Sequence, residues 1–107
     1  MRKEEIIQSI KNTARQIMPK GSRVILFGSQ ARGDAHEESD WDILILFHKQ
    51  ERVNNEDFDK IAFPFIELGW QMGTSINPII YSYNDWEKRQ LTPFYHNVKE
   101  DGIVLWH

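Results

Sequence analysis

Two short apolar runs, Arg23-Val24-Ile25-Leu26-Phe27 and Trp41-Asp42-Ile43-Leu44-Ile45-Leu46-Phe47, constrain the fold more than any other feature. Near-continuous hydrophobic runs of this length read as strands buried on both faces. Apolar segments must then cover each face of the sheet, and the flanking sequence supplies them. Ile7, Ile10, Ala14 and Ile17 recur three and four apart, on one side of a helix that Pro19 and Gly21 end. Phe58, Ile61, Ala62, Phe65 and Ile66 form a second helical stripe, and Pro64 within it must kink or split the helix. Ser75 to Tyr83 reads as a third strand, which Pro78 restricts to a sheet edge or a bulge. Asn84-Asp85 is expected to cap a short helix through Arg89. Thr92-Pro93 opens a last helix that Gly102 stops, and Ile103-Val104-Leu105 reads as a closing strand or tail. With one or two helical turns over Ser29 to Arg32, the expected order is α-β-α-β-α-β-α. That is an α/β domain with a small mixed β-sheet flanked by helices.

A chain of 107 residues supports one core, so residues 1–107 are expected to form a single domain. Charged residues are 27% and hydrophobic residues 40%, a balance that excludes a disordered chain. The longest apolar run, Ile43 to Phe47, is too short for a membrane span, and Met1-Arg2-Lys3-Glu4-Glu5 lacks the apolar core of a secretory signal. The expectation is a soluble, cytoplasmic protein. Cysteine is absent, which removes disulfides, thiolate catalysis and cysteine-bound zinc. His36, His48, His96 and His107 show no metal-ligand spacing. A net charge of −3 argues against binding extended nucleic acid.

The chemistry concentrates in Phe27-Gly28-Ser29-Gln30-Ala31-Arg32-Gly33 and Ser39-Asp40-Trp41-Asp42-Ile43. Residues two apart in a strand share a face at roughly 6.6 Å, so Asp40 and Asp42 can converge on one point. Two carboxylates held together repel unless a cation neutralises them. Mg²⁺ favours such oxygens and keeps open positions for substrate phosphates. Gly28, with no side chain, lets the backbone approach an anion. Ser29 offers a hydroxyl and an amide, and Arg32 a cation able to grip phosphate. Singly, each feature is ordinary: Asp-x-Asp is most often a solvated strand end, and Gly-Ser a turn. Their joint spacing is not. A P-loop fails, because Asp34-Ala35 stands where it needs lysine and a hydroxyl residue.

Gly28-Ser29, ten residues, then Asp40-x-Asp42, with Ala31-Arg32-Gly33 and Ser39 between, resembles the nucleotidyltransferase superfamily that includes DNA polymerase beta and kanamycin nucleotidyltransferase. In length and layout the chain is most similar to minimal nucleotidyltransferases. The motif covers residues 24 to 46, and the element order most of the chain. The resemblance implies the nucleotidyltransferase fold and transfer of a nucleotide from a Mg²⁺-bound triphosphate to a hydroxyl. It implies that Gly28 and Ser29, with Arg32 and Ser39, hold the nucleotide, and that Asp40 and Asp42 bind two metal ions. Such proteins pair with a helical partner of the HEPN class in toxin–antitoxin-like modules, adding AMP to a partner tyrosine or simply binding the partner. The chain is expected to lack the acceptor domain of larger relatives, which fits that reading.

One departure stands out. The family's third carboxylate belongs on the next strand, where this chain has Ser75-Ile76-Asn77-Pro78-Ile79-Ile80. Asn77 aligns best with that position, with Glu67 and Asp85 as acids that can substitute from neighbouring elements. A neutral amide cannot take the proton of an incoming hydroxyl. A second reading is therefore a nucleotide- or partner-binding module without turnover. A third, transfer to a small molecule such as an aminoglycoside, requires an acceptor pocket supplied by a homo-oligomer.

Overall fold

The computed structural model describes residues 3–107; Met1 and Arg2, the start of the segment read for a secretory signal, lie outside them. The first apolar stripe folds as α1 (Lys3–Ile17), which buries Ile6, Ile10 and Ala14. The buried line is thus the four-spaced series through Ile6, while Ile7 and Ile17 pack only partly against the core. The two apolar runs form β1 (Arg23–Phe27) and β2 (Trp41–Phe47), separated by α2 (Ser29–Arg32) and a polar loop. Next come α3 (Asn55–Asp57), a π-helical turn (Phe58–Ala62), α4 (Phe63–Met72) and β3 (Ile76–Ser82). The chain finishes with α5 (Tyr83–Glu87), α6 (Pro93–Asp101) and β4 (Ile103–Trp106).

The sheet order is β3-β2-β1-β4. β1 runs antiparallel to β2 and β4, whereas β2 and β3 are parallel, so the sheet is mixed as expected. Its faces alternate by residue. Val24, Leu26, Ile43 and Ile45 pack under α1 and α4 with Ile10 and Phe65. Ile25, Leu44 and Leu46 pack under α5 and α6 with Trp86 and Val98. Burial on both sides is why β2 reads as one unbroken apolar run after Asp42.

Several local expectations are refined. Pro64 does split its helix, but through the turn before it: the Phe63 amide reaches back five residues to the Phe58 carbonyl. That wider turn makes room for the proline ring, and the missing donor falls in the first turn of α4. β3 is an edge strand, so Pro78 has a neighbour on one side only. The cap of α5 is Ser82 rather than Asn84-Asp85, because its hydroxyl accepts from the Asp85 amide at 3.1 Å. That helix ends at Glu87, short of Arg89. Thr92 caps α6 as expected, accepting from the Tyr95 amide at 3.2 Å. Ile103 to Trp106 is a strand, not a tail, because it completes the ladder beside β1. Trp70 is 67% exposed and touches Phe63 edge-on. In the link after β2, Lys49 pairs with Asp57, whose carboxyl is held below its usual range by that bond and by the Asn54 amide. Among the described residues no helix is long and apolar enough to cross a membrane.

Candidate active site

Three strand ends meet at one corner of the sheet. β1 ends there and the parallel strands β2 and β3 begin there, which follows directly from the strand directions. Phe27 lies opposite Asp42, and Asp42 opposite Asn77. Asp42 shares the parity of Leu44 and Leu46, so it projects toward the α5–α6 side.

Gly28 turns the chain at φ 74° and ψ −158°. This backbone region is essentially restricted to glycine. A Cβ there would stand 2.6 Å from Oδ2 of Asp42, so the turn rests directly against that carboxylate. The Gly28 carbonyl accepts from the Ala31 and Arg32 amides, both at 3.1 Å, which starts α2 and sets Ser29 at its first position. Asp40 lies just before β2 and is exposed. Its Oδ2 accepts from the Asn77 side-chain amide at 3.1 Å. The Asn77 carbonyl oxygen faces the Ser75 hydroxyl at 3.4 Å, and the Trp41 amide donates to the Ser75 carbonyl at 2.8 Å. Asn77 therefore lies beside Asp40 and level with Asp42 despite the proline that follows it.

The other residues singled out in the sequence take different places. The Ser39 hydroxyl accepts from the His36 amide at 2.9 Å, which closes the loop onto itself rather than reaching toward the carboxylates. Arg32 pairs with Asp34 at 3.2 Å, with both side chains exposed. Exposed pairs of this kind are weak, so the guanidinium is free to exchange Asp34 for a stronger anion. Asp85 pairs with Arg89 beyond the far end of β3, roughly 15 Å or more of strand from Asn77. Glu67 is also remote: Gly69 packs against Ile76, and Glu67 lies about 200° around α4 from it. Neither acid completes the corner.

Two contributors escaped the sequence reading. Gln30 is buried, and its side-chain amide donates to the Ser39 carbonyl at 3.3 Å, tying α2 to the residue before Asp40. Nothing in the sequence separates this glutamine from a solvated one. The second is α6. Gly28, Ser29, Arg32 and Asp42 line one wall of a cleft of about 370 Å³, and Phe94, Asn97 and Asp101 line the other. Their spacing of three and four residues places them on one helix face, a pattern legible in the sequence but equally consistent with core packing.

The oxygen donors gathered at the corner are the carboxylates of Asp40 and Asp42; Asn77 turns its amide nitrogen to Asp40 and its carbonyl oxygen to Ser75. Such a pair of carboxylates suits a hard divalent cation. Among the described residues no three His, Cys, Asp or Glu side chains cluster closely enough to hold a metal by themselves. Two carboxylates can supply part of a divalent cation's shell and leave its other positions open.

The sequence pattern of the nucleotidyltransferase domain family matches residues 7–101. A Methanocaldococcus jannaschii protein named as a candidate protein adenylyltransferase, MJ0604, is 38% identical over 103 residues, covering 96% of this chain and 93% of its own. Among solved structures, a candidate nucleotidyltransferase from Sulfolobus solfataricus superposes with a TM-score of 0.64 at 24% identity, covering 96% of this chain and 81% of that one. A chain from the Shewanella oneidensis complex of an MNT antitoxin with a tri-AMPylated HEPN toxin superposes with a TM-score of 0.59 at 18% identity, covering 98% and 72%. At these identities the structural likenesses speak for the fold.

Proposed function

The chain belongs to the nucleotidyltransferase domain family, and from that premise we propose that it moves AMP from Mg²⁺-ATP to a hydroxyl on a HEPN-type helical partner, as an antitoxin-like component in the cytoplasm. The observation that supports this most is the corner itself, where Gly28 rests on Asp42 while Asn77 holds Asp40. The adenylyltransferase name of the archaeal relative and the HEPN toxin in the Shewanella complex favour AMP and a protein acceptor. The net charge of −3 favours such an acceptor over a long polyanion.

In this reading Gly28 lets the triphosphate lie against the backbone, and Ser29 and Arg32 bind its oxygens. Asp40 and Asp42 would hold Mg²⁺, two ions when the nucleotide is present. When bound there, the cations would neutralise phosphate charge and would lower the pKa of the attacking hydroxyl. The acceptor oxygen bonds to the α-phosphorus, the bond to the β-phosphate bridging oxygen breaks, and pyrophosphate leaves with that electron pair. Asn77 keeps Asp40 oriented but takes no proton, so the hydroxyl proton must leave to solvent or to a group on the acceptor.

The test is incubation with ATP labelled at the α-phosphate, Mg²⁺ and the product of the adjacent gene, followed by mass spectrometry of both proteins. Slow transfer of AMP to a partner tyrosine is the expected result. Asn77→Asp should raise Mg²⁺ affinity and accelerate transfer, since general-base help is worth roughly 10²–10⁴ in rate. It should also lower the melting temperature without Mg²⁺, because a carboxylate would replace the amide that now donates to Asp40. An unchanged Mg²⁺ titration and unchanged transfer in that variant would remove residue 77 from the site.

The amide at residue 77 also favours a second reading, a nucleotide- or partner-binding module without turnover. ATP that binds and is never consumed, with any acceptor, is its signature.

A further inference from the structure

Helix α6 is the unassigned wall of the cleft. It is anchored at both ends. Phe94 meets Phe27 at 5.2 Å and Trp86 at 5.5 Å between ring centroids, both edge-on. At the other end Gly102 is wedged in place: a Cβ there would lie 2.3 Å from the Val98 carbonyl oxygen and 2.9 Å from Ile25. The next residue, Ile103, pairs with Leu26. Asp101 is thus fixed beside the end of β1, immediately before the Gly28 turn, and lines the cleft. Among the described residues it takes part in no ion pair.

The two walls differ in charge. The α2 wall carries Arg32, the Ser29 hydroxyl and Asp42, and with a cation on Asp42 this wall suits phosphate. The α6 wall carries Asp101, whose carboxylate repels phosphate and accepts from hydroxyl and amine donors, and Asn97, a neutral amide that both donates and accepts. A ligand spanning the cleft must therefore be anionic at one side and rich in neutral donors at the other. A nucleoside triphosphate has that polarity. Resting on the reading that this site holds ATP, we propose that α6 reads the nucleoside, with Asp101 accepting from the ribose hydroxyls. A carboxylate binds the ribose diol of dinucleotides on an unrelated fold by the same chemistry.

The test compares calorimetric binding of Mg²⁺-ATP, Mg²⁺-2′-deoxyATP and Mg²⁺-3′-deoxyATP to the wild type, Asp101→Asn and Asp101→Ala. A hydrogen bond to a charged group corresponds to about tenfold or more in affinity. The wild type should prefer ATP over at least one deoxy form by about that factor. Asp101→Ala should lose the preference by binding ATP more weakly while keeping its affinity for the disfavoured deoxy form. Asp101→Asn should fall between, because a neutral acceptor forms a weaker bond. Equal melting temperatures would exclude a folding defect. A preference that survives in Asp101→Ala overturns the assignment, as does tighter ATP binding, which would mean that the carboxylate faces phosphate. If the wild type binds no nucleotide at all, the ATP reading fails and this one with it. Retained discrimination fails the ribose assignment alone.

Discussion

Replacing Asp40 and Asp42 together by asparagine is expected to abolish Mg²⁺-dependent ATP binding while leaving the fold intact. Asp40 is exposed and Asp42 only partly buried, so neither carboxylate is embedded in the core. Their value lies in the charge they offer a cation, and asparagine keeps their size and removes that charge. Without Mg²⁺, the melting temperature should hold or rise, because two like charges at one corner disfavour each other. Wild-type protein should gain stability with Mg²⁺-ATP, as any ligand bound only by the native state confers; the double variant should gain none. Calorimetric titration with Mg²⁺-ATP and thermal melts with and without it provide the check. Binding by Asp40→Asn plus Asp42→Asn at the wild-type affinity would remove these aspartates from the metal site.

The second large effect belongs to Gly28. On the proposed function, a branched side chain there would stand where the triphosphate meets the backbone. The structure adds an earlier obstruction, since even the first carbon would meet the Asp42 carboxylate at 2.6 Å. A positive φ of 74° adds backbone strain for any residue with a side chain. Such conformations cost of order 1–3 kcal/mol. Gly28→Val should therefore lower the unfolding free energy by about that amount and lose nucleotide binding together. Gly28→Ala separates the two causes: it carries most of the strain and the clash with Asp42, but little added bulk toward the cleft. Ser29→Ala should be much milder, because its backbone amide remains. Denaturant melts beside ATP titrations report both effects, with circular dichroism confirming the folded state. Wild-type affinity in folded Gly28→Val would show that the turn does not meet the nucleotide.

The clearest parts of the sequence were those where one physical constraint dominates. β1 and β2 have the bounds read from their apolar runs, because burial on both faces leaves no room for polar residues and glycine or aspartate marks the ends. β3 takes the edge, one of the two placements, edge or bulge, that Pro78 left open. Less legible were features that depend on three-dimensional neighbours. Ser82 and Asn84 are both competent caps, and only the path of β3 into α5 decides between them. The five-residue turn ahead of Pro64 is a response to packing, not a local preference. At the site, the spacing of Gly28, Ser29, Asp40 and Asp42 was visible because the motif lies within one strand–turn–strand unit. Gln30 and Asp101 were invisible as site residues because each matters through a partner distant in sequence or across the cleft.

The parallel pairing of β2 with β3 has a consequence for how the corner comes apart. The Gly28 turn and the two aspartates lie on one antiparallel unit, in which Phe27 faces Asp42. Asn77 reaches them only through the long crossover from β2 to β3. It sits on a strand with one neighbour, interrupted by a proline that cannot donate. Free energies of local opening differ across a structure, and an edge held by a crossover belongs near the low end. Native-state hydrogen exchange should therefore find the amides of β3 exchanging before those at the centre of β1 and β2, and simultaneous exchange would contradict this. In that partly opened state the chain keeps its turn and both carboxylates but releases Asp40 from its amide partner.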